Sequence, residues 1–483
     1  MTSGTRYRIA WLSLLLFALL VRVGVGIYWD ETVFKLCDPG SHASDAQDGP
    51  FFYGDSDSYW KLGRALAFGR PYEFDDLRCW QIFRTPGYPA LLAPLFWIFG
   101  ENPPAIAARI EGAFFGMINV ALVGLLAIII FGNGKRGRLI AILAALFVAL
   151  DPTEALQSVS ILSEEPFMTF SLALNIVFVK IARSLGLLNA RKLDSSVEIT
   201  APATKKFLAL VALAAFFSAA SIYLRPSWFY FVPFATFVLL LLRFMLDSLR
   251  RKVKDNPLWT KKGLLATLTV AALIHVVMLA FLAPWIIRNY RLSGKPIATT
   301  LQMGSSLYDG LSPEATGASD MTFVDRFRAE EIENPSDSLD VHFEIRLDRR
   351  MKEASLAWVK SHPLETARLA CVKFYRLWAP VPRERSFAKP IWTLALIISY
   401  LPILCLGLLG LRRAFHFDNA AYFLVIPALY TSALHVVFVS SIRYRVPVMY
   451  GFAILAAYWI VTTATPLINK NSRSFSSQTS DDI

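Results

Sequence analysis

Two short polar segments hold the residues of this sequence that are best suited to chemistry. Gly54-Asp-Ser-Asp-Ser-Tyr59 supplies two carboxylates and a phenol, and Arg84-Thr-Pro-Gly-Tyr-Pro89 supplies a guanidinium group before a rigid turn. Both segments lie between long apolar runs, where charge is expensive and generally serves a function. A carboxylate can accept the proton of an attacking hydroxyl, and an arginine presents a fork of donors that fits a phosphate. The two segments therefore indicate a membrane enzyme whose chemistry lies just outside the bilayer.

The composition defines the class of protein that must position these residues. The 483 residues are 55% hydrophobic and only 18% charged, and the mean hydropathy is +0.45. Many apolar runs approach the ~20 residues that cross a bilayer, and they are continuous rather than alternating, which excludes an outer-membrane barrel. We predict an all-α polytopic membrane protein with about 10–11 transmembrane helices. The formal charge of +12 is explained by loop residues that meet membrane lipids, so no nucleic-acid partner is expected.

The apolar runs also predict where the chain crosses the membrane. We expect spans at 9–28, 104–131, 139–151, 160–181, 207–223, 227–245, 264–286, 391–411, 420–439 and 446–463. Segment 86–100 is apolar but short. Either it is re-entrant or lies at the interface, or the basic cluster from Lys135 to Arg138 violates the positive-inside rule.

Basic residues collect in alternate connections, and the positive-inside rule makes those connections cytoplasmic. The other connections then lie outside: 29–103, 152–159, 224–226, 287–390 and 440–445. This divides the chain into a membrane module with catalytic function (1–286, with its outer loop 29–85 carrying short helices), a mainly helical extracytoplasmic region (287–390), C-terminal membrane helices (391–463) and a disordered cytoplasmic tail (464–483).

Charged residues from five separate connections fall at or beside the outer ends of helices. Charges at this depth generally face a cavity and pair with one another, although single arginines also serve as interface anchors. The set consists of Asp55, Asp57, Arg84, Asp151, Glu154, Glu164, Glu165, Arg225, Arg288, Arg443 and Arg445.

Five members of this set have both a chemical and a structural interpretation. Asp55 is the first choice as general base, and its structural alternative is an Asx-turn or helix cap. Asp57 lies nearer the predicted helix start, so capping is the expected role there. Arg84, Arg443 and Arg445 suit a phosphate at the level of the lipid head groups, against the alternative of snorkelling anchors.

Other site chemistries find little support. The Asp-x-Asp pattern of Asp55-Ser-Asp57 suits Mg²⁺ or Mn²⁺ in enzymes that use nucleotide sugars, but the motif lies outside, where nucleotide sugars are not supplied. We therefore expect no metal or other cofactor, with a divalent cation as the alternative. No P-loop is present. Cys37 and Cys79 share the first loop and are open to either a disulfide or two free thiols.

Six motifs in order resemble those of the GT-C membrane glycosyltransferases, in particular bacterial relatives of the protein O-mannosyltransferases and the lipid A aminoarabinose transferase. The resemblance covers about residues 8–460. It rests on Asp55-Ser-Asp-Ser-Tyr59 with Gly69-Arg-Pro-Tyr72, Arg84-Thr-Pro-Gly-Tyr-Pro89, Ile161-Leu-Ser-Glu164-Glu-Pro-Phe, Leu224-Arg-Pro226, Ala283-Pro-Trp-Ile-Ile-Arg288-Asn289 and Arg443-Tyr-Arg445-Val-Pro447. Protein O-mannosyltransferases usually carry Asp-Glu in the first motif; here Ser56 follows Asp55.

The resemblance implies a glycosyltransferase of the inner membrane with its active site on the periplasmic face. The donor would be a polyprenyl-phosphate sugar, and the acceptor hydroxyl would belong to a glycolipid, a polysaccharide or a protein. Asp55 would be the catalytic aspartate of an inverting transfer, and Arg84, Arg443 and Arg445 would bind the donor phosphate. Asp57, Asp151 and Glu164 would be supporting carboxylates. The substrate-binding candidates are Tyr59, Tyr88, Arg225 and Arg288.

Two other classes share parts of this pattern. A flippase or transporter of lipid-linked sugars would show inverted repeats and charges near the midplane, whereas these charges lie at one face and no repeat is visible. A polysaccharide polymerase or ligase would also have outer arginines and a large outer loop, but would not need the early Asp55 segment.

Overall fold

The computed structural model describes residues 3–30, 54–74, 80–188, 204–249, 257–381, 390–417 and 419–478, and these are almost entirely helical. The first nine helices are α1 (Ser3–Tyr28), α2 (Gly54–Ala67), α3 (Gly87–Phe99), α4 (Ala105–Phe131), α5 (Lys135–Leu150), α6 (Pro152–Val159), α7 (Glu164–Ser184), α8 (Lys205–Leu224) and α9 (Phe231–Leu249). They are followed by α10 (Lys261–Ser293), α11 (Met303–Gly310), α12 (Phe323–Glu333), α13 (Phe343–Ser361), α14 (Pro363–Trp378), α15 (Pro390–Phe417), α16 (Ile426–His435), α17 (Ile442–Arg445) and α18 (Tyr450–Gln478).

Length and apolar composition separate the membrane helices from the rest. Within the described ranges, 7 helices are long and apolar enough to cross a bilayer, and the number is up to 9 if two bent pairs each count as one span. The bent pairs are α5 with α6, at 61°, and the turn Ile442–Val448 with α18, at 57°. Two shorter apolar helices, Gly87–Phe99 and Ala420–His435, complete the set. The predicted class, an all-α polytopic membrane protein, is confirmed.

Segment 86–100, whose path was left open by the sequence, consists mainly of helix α3. Its 13 residues extend about 20 Å, which is less than the ~30 Å of a hydrocarbon core. This helix therefore does not cross the membrane by itself. It packs instead against α2, where Gly63 allows a close approach: a Cβ atom on Gly63 would lie 3.1 Å from Cβ of Leu92.

The region between α10 and α15 is mainly helical, as predicted, and it has a small hydrophobic core of its own. That core joins Tyr308, Phe323, Phe327, Leu347 and Met351 from helices α11 to α13. Trp80, which belongs to the first polar loop, is part of the same core. Helices α11 to α13 and the segment that carries Arg84 therefore form one packed unit.

The predicted division of the chain into domains, and the membrane face of each connection, stay predictions. Helix α18 extends to Gln478 and so reaches into the residues predicted as a disordered tail. Cys37 and Cys79 lie outside the described residues.

Candidate active site

Asp55 lies between two arginines that come from opposite ends of the chain. Its Oδ1 atom accepts a hydrogen bond from Nη2 of Arg84 at 2.5 Å, and its Oδ2 atom accepts one from Nη2 of Arg443 at 2.9 Å. Asp55 is in the first turn of α2, where the helix dipole favours a negative charge. The structure thus brings together three residues that the sequence selected for base and phosphate chemistry.

A second carboxylate extends this arrangement. Oε1 of Glu164 lies 2.8 Å from Nε of Arg443 and 2.9 Å from Nη1 of Arg225. Glu164 begins α7 and its side chain is 1% exposed. A buried carboxylate requires compensation by opposite charge, and the two guanidinium groups supply it. The result is an alternating row of charges: Arg84, Asp55, Arg443, Glu164 and Arg225, which we call the charge row.

Backbone packing places the two ends of the charge row near each other. Gly87 begins α3, three residues after Arg84, and a Cβ atom at this position would overlap the carbonyl group of Tyr223 at the end of α8. Arg225 follows at the C-cap of α8. Only glycine allows α3 to approach the end of α8 so closely.

Aromatic rings orient the arginines of the charge row. The ring of Tyr444 lies 5.1 Å from the guanidinium carbon of Arg443 and 5.2 Å from that of Arg225. The ring of His435 is stacked on Tyr444, with centroids 4.4 Å apart. Such cation–π contacts hold an arginine in place without neutralising it. Tyr444 was not predicted as a site residue. Its position between Arg443 and Arg445 in the same motif was the one feature of the sequence that pointed to it.

Tyr59 and Tyr88, predicted as substrate-binding residues, lie at the Arg84 end of the row. Their rings meet edge to face with centroids 5.1 Å apart. The guanidinium carbon of Arg84 is 5.3 Å from the ring of Tyr59, whose hydroxyl is 3.5 Å from Oγ of Ser163. Both tyrosines are buried, so they form a wall of the site.

The electrostatics of Asp55 follow from its two partners. Burial by itself would raise the pKa of Asp55, but Arg84 and Arg443 outweigh burial and hold this pKa well below its usual range. The pKa of Arg84 is raised in turn, because Asp55 overcomes the effect of burial. In this arrangement Asp55 is a carboxylate of low basicity.

Other predicted site residues have different partners. Arg445 is buried and donates to the carbonyl oxygens of Leu377 and Ala379, while Asp151 caps α6 by accepting from the backbone N–H of Thr153 at 2.8 Å. Asp57 pairs with Lys61 at 3.0 Å. The geometry therefore gives Arg445 and Asp151 contacts that stabilise local structure, and their predicted site roles stay predictions.

Arg288 lies behind the site rather than in the charge row. Its Nη1 atom donates to the carbonyl oxygen of Gln81 at 2.8 Å, and its Nη2 atom donates to that of Tyr72 at 3.1 Å. Arg288 therefore joins the backbone of Tyr72 to that of the segment leading to Arg84, a role that the sequence did not predict.

The described residues contain no group of three or more His, Cys, Asp or Glu side chains that is arranged to hold a metal ion. Asp55 and Asp57 in particular have separate partners, two arginines and a lysine. The expectation that the protein needs no metal stays a prediction.

Comparison with known proteins then addresses the fold that positions the charge row. No protein-family model and no curated protein matches the sequence. The oligosaccharyltransferase AglB from the archaeon Archaeoglobus fulgidus, solved with an inhibitory peptide and a dolichol-phosphate, has a similar structure with a TM-score of 0.54. It is 14% identical, and the match covers 98% of this chain and 52% of that chain.

The chain shares the fold of this oligosaccharyltransferase. An Archaeoglobus fulgidus oligosaccharyltransferase in the apo form agrees, with a TM-score of 0.50, 14% identity, and coverage of 96% of this chain and 52% of that chain. ArnT from Cupriavidus metallidurans, bound to undecaprenyl phosphate, has a TM-score of 0.32 at 12% identity, over 94% of this chain and 78% of that chain.

The chain spans about half the length of the oligosaccharyltransferases that it matches. At this level of identity the comparison shows a shared fold, in agreement with the resemblance found in the sequence.

Proposed function

We propose that this protein is a glycosyltransferase. It would move a sugar from a polyprenyl-phosphate donor to a hydroxyl acceptor on the outer face of the inner membrane, with inversion at the anomeric carbon. The observation that supports the proposal is the position of Asp55 within hydrogen-bond distance of both Arg84 and Arg443. A carboxylate suited to act as a base therefore lies beside two groups suited to bind a phosphate.

The arginines supply the phosphate chemistry. A guanidinium group matches the planar, bidentate geometry of phosphate oxygens. Arg84, Arg443 and Arg225 bring three positive charges to the charge row, and Asp55 and Glu164 bring two negative charges. One positive charge is therefore left over, which suits the single negative charge of a phosphodiester donor.

Asp55 supplies the proton chemistry. The acceptor oxygen forms a bond to the anomeric carbon as its proton passes to Asp55, and the bond from that carbon to the phosphate oxygen breaks. The polyprenyl phosphate leaves with the electron pair, and the arginines stabilise the negative charge that develops on it. The entering and leaving groups are in line, so the configuration inverts.

The low pKa of Asp55 limits its strength as a base while both arginines hold it. A general base works best when its pKa lies near the working pH. We infer that the donor phosphate competes with Asp55 for Arg84 and Arg443. Donor binding would then raise the pKa of Asp55 and activate the base only when a sugar is in place.

The test compares purified variants with a radiolabelled polyprenyl-phosphate hexose. Asp55→Asn and Asp55→Ala are expected to lower turnover about 10²- to 10⁴-fold, the usual contribution of a general base. Asp325→Asn is the matched control, because Asp325 also lies in the first turn of a helix and its side chain is 85% exposed. Wild-type turnover in both Asp55 variants would refute the base assignment.

A second assay separates the enzyme from the flippase alternative. Vesicles that contain the protein and the labelled donor are supplied with or without acceptor. A glycosyltransferase consumes the donor only when acceptor is present, whereas a flippase moves the donor across the bilayer in both cases.

A further inference from the structure

The segment Trp80–Arg84 is held by an unusual pair of contacts. Glu344, from the first turn of α13, is 2% exposed. Its Oε1 atom accepts from the backbone N–H of Gln81 at 2.8 Å and from that of Ile82 at 3.1 Å, and its Oε2 atom lies 3.2 Å from the same Ile82 nitrogen. The carboxylate thus accepts hydrogen bonds from backbone N–H groups, as the carbonyl groups of a neighbouring strand do in a sheet.

The opposite edge of the segment is held by a positive charge. Nη1 of Arg288 donates to the carbonyl oxygen of Gln81, and the backbone N–H of Leu301 donates to that of Ile82 at 3.1 Å. The hydroxyl of Tyr72 donates to the carbonyl oxygen of Arg84 at 3.3 Å. The Glu344 carboxylate thus accepts from backbone N–H groups, and the Arg288 guanidinium group donates to a backbone carbonyl. Each charge therefore meets the oppositely charged end of a peptide dipole.

We propose that Glu344 is a positioning residue for the donor-phosphate site: through the amides of Gln81 and Ile82 it determines where Arg84 places its guanidinium group. Arg84 follows Ile82 by two residues, and Ile82 is completely buried. The hydrogen bonds of the segment fix its backbone, which leaves Arg84 little freedom except in its own side chain. This inference rests on the proposed function of Arg84.

The energetics of Glu344 support a specific role. A buried carboxylate loses much of its solvation free energy, and a neutral side chain would avoid that loss. Burial raises the pKa of Glu344 to about 7, although the two backbone amides and Arg288 act in the opposite direction. The carboxylate of Glu344 supplies strong acceptors for two adjacent backbone amides, which an apolar side chain could not do.

The consequence is a mechanical link between the outer helices and the site. Glu344 belongs to the helix that also contributes Leu347 and Met351 to the small core around Trp80. Any movement of α13 relative to the membrane helices would therefore shift Arg84. Glu344 transmits the position of the outer region to the residue that binds phosphate.

The experiment measures the affinity of the full chain in lipid nanodiscs for undecaprenyl phosphate. We expect Glu344→Gln to weaken binding about tenfold, since amide oxygens accept more weakly than a carboxylate. Glu353→Gln is the matched control, because Glu353 lies on the same helix and is exposed. Arg288→Lys tests the carbonyl edge of the segment and is expected to act in the same direction.

A double-mutant cycle distinguishes positioning from a general loss of stability. Because Glu344 acts through Arg84, the variant with both Glu344→Gln and Arg84→Ala is expected to bind as Arg84→Ala does alone. Additive losses would overturn the inference, as would wild-type affinity in Glu344→Gln and in Arg288→Lys while Arg84→Ala binds weakly. Wild-type affinity in Arg84→Ala would instead refute the phosphate role itself, and the inference with it.

Discussion

Nη2 of Arg443 donates to Oδ2 of Asp55 at 2.9 Å, although the two residues are 388 positions apart in the chain. The contact joins the first turn of α2 to the short helix α17, which precedes the last membrane helix. A site assembled from both ends of the chain exists only when the helices between them are packed. The charge row therefore forms only in the folded chain.

The first prediction concerns Arg443. Its Nη2 atom contacts Asp55 and its Nε atom contacts Glu164, and a lysine ammonium group cannot reach two carboxylates with this fork geometry. We expect Arg443→Lys to lower turnover with a polyprenyl-phosphate hexose by at least about tenfold, in line with the loss of a transition-state donor. Arg413→Lys, at an exposed arginine, should turn over at the wild-type rate. Equal rates for the two variants would contradict the role of Arg443.

The second prediction concerns Glu164, which compensates Arg443 and Arg225. Glu164→Gln removes the negative charge from a side chain that is 1% exposed. We expect roughly 3 kcal/mol less stability in thermal unfolding, the range for a broken buried ion pair. Undecaprenyl phosphate should bind at least as tightly as in the wild type, because the positive charge of the site increases.

Glu101→Gln serves as the control for this change. Glu101 pairs with Arg70, but its side chain is 50% exposed, and exposed pairs contribute at most about 1 kcal/mol. Equal stability losses for Glu164→Gln and Glu101→Gln would show that the buried pairs of Glu164 contribute no more than an exposed one.

The third prediction concerns the glycine between Arg84 and the end of α8. Gly87→Ala introduces a Cβ atom into the space occupied by the backbone of Tyr223, so α3 and α8 must separate. We expect lower thermal stability and weaker binding of undecaprenyl phosphate, because Arg84 moves with α3. In Gly134→Ala the new Cβ has nothing within 4 Å, and both quantities should stay unchanged. Tight phosphate binding in Gly87→Ala would contradict the coupling of helix packing to the site.

The fourth prediction is the effect of Glu344 on pH dependence. Its folded-state pKa of about 7 is above the ordinary value of 4.5, so the folded protein binds the proton more tightly than the unfolded chain. Stability therefore falls as the pH rises from about 4.5 to 7 and is constant above that range, with a total change of roughly 3 kcal/mol.

Thermal unfolding midpoints of the wild type and Glu344→Gln, measured between about pH 5 and pH 8, test this prediction. The groups that face Glu344 are Arg288 from α10, Asp348 from α13 and the amides of the Arg84 segment. They are the same in both proteins, so the difference between the two curves reports Glu344. Parallel curves would mean that Glu344 is not a proton-linked group.

The proximity of Asp55, Arg84 and Arg443 was predictable because it follows from topology. The apolar runs predict the membrane helices. The basic residues in alternate connections then predict that Asp55, Arg84 and Arg443 lie on one side of the membrane. Arg445 was predicted to bind the same phosphate, but it donates to the carbonyl oxygens of Leu377 and Ala379. Side chains two residues apart on a helical turn face different directions, so Arg443 and Arg445 point to different partners. This spacing was visible in the sequence and argued against placing both on one phosphate.

Glu344 was not predictable in the same way. It lies in a polar amphipathic helix with no motif, and its partners are backbone amides, which leave no pattern in a sequence. The contact depends on the packing of Trp80 among helices α11 to α13. Glu344 and Gln81, which it joins, are more than 250 positions apart. Local periodicity can predict that an amphipathic helix forms, but not the surface against which that helix packs.

The single positive charge left over in the charge row affects the end of the proposed reaction more than its beginning. The donor is a phosphodiester with one negative charge, whereas the released polyprenyl phosphate is a monoester with a charge of about −1.5 to −2. In the proposed reaction, the same arginines would therefore retain the product more strongly than they capture the substrate. Product release would limit turnover, and the pace of the enzyme would depend on whichever process removes polyprenyl phosphate from the outer leaflet.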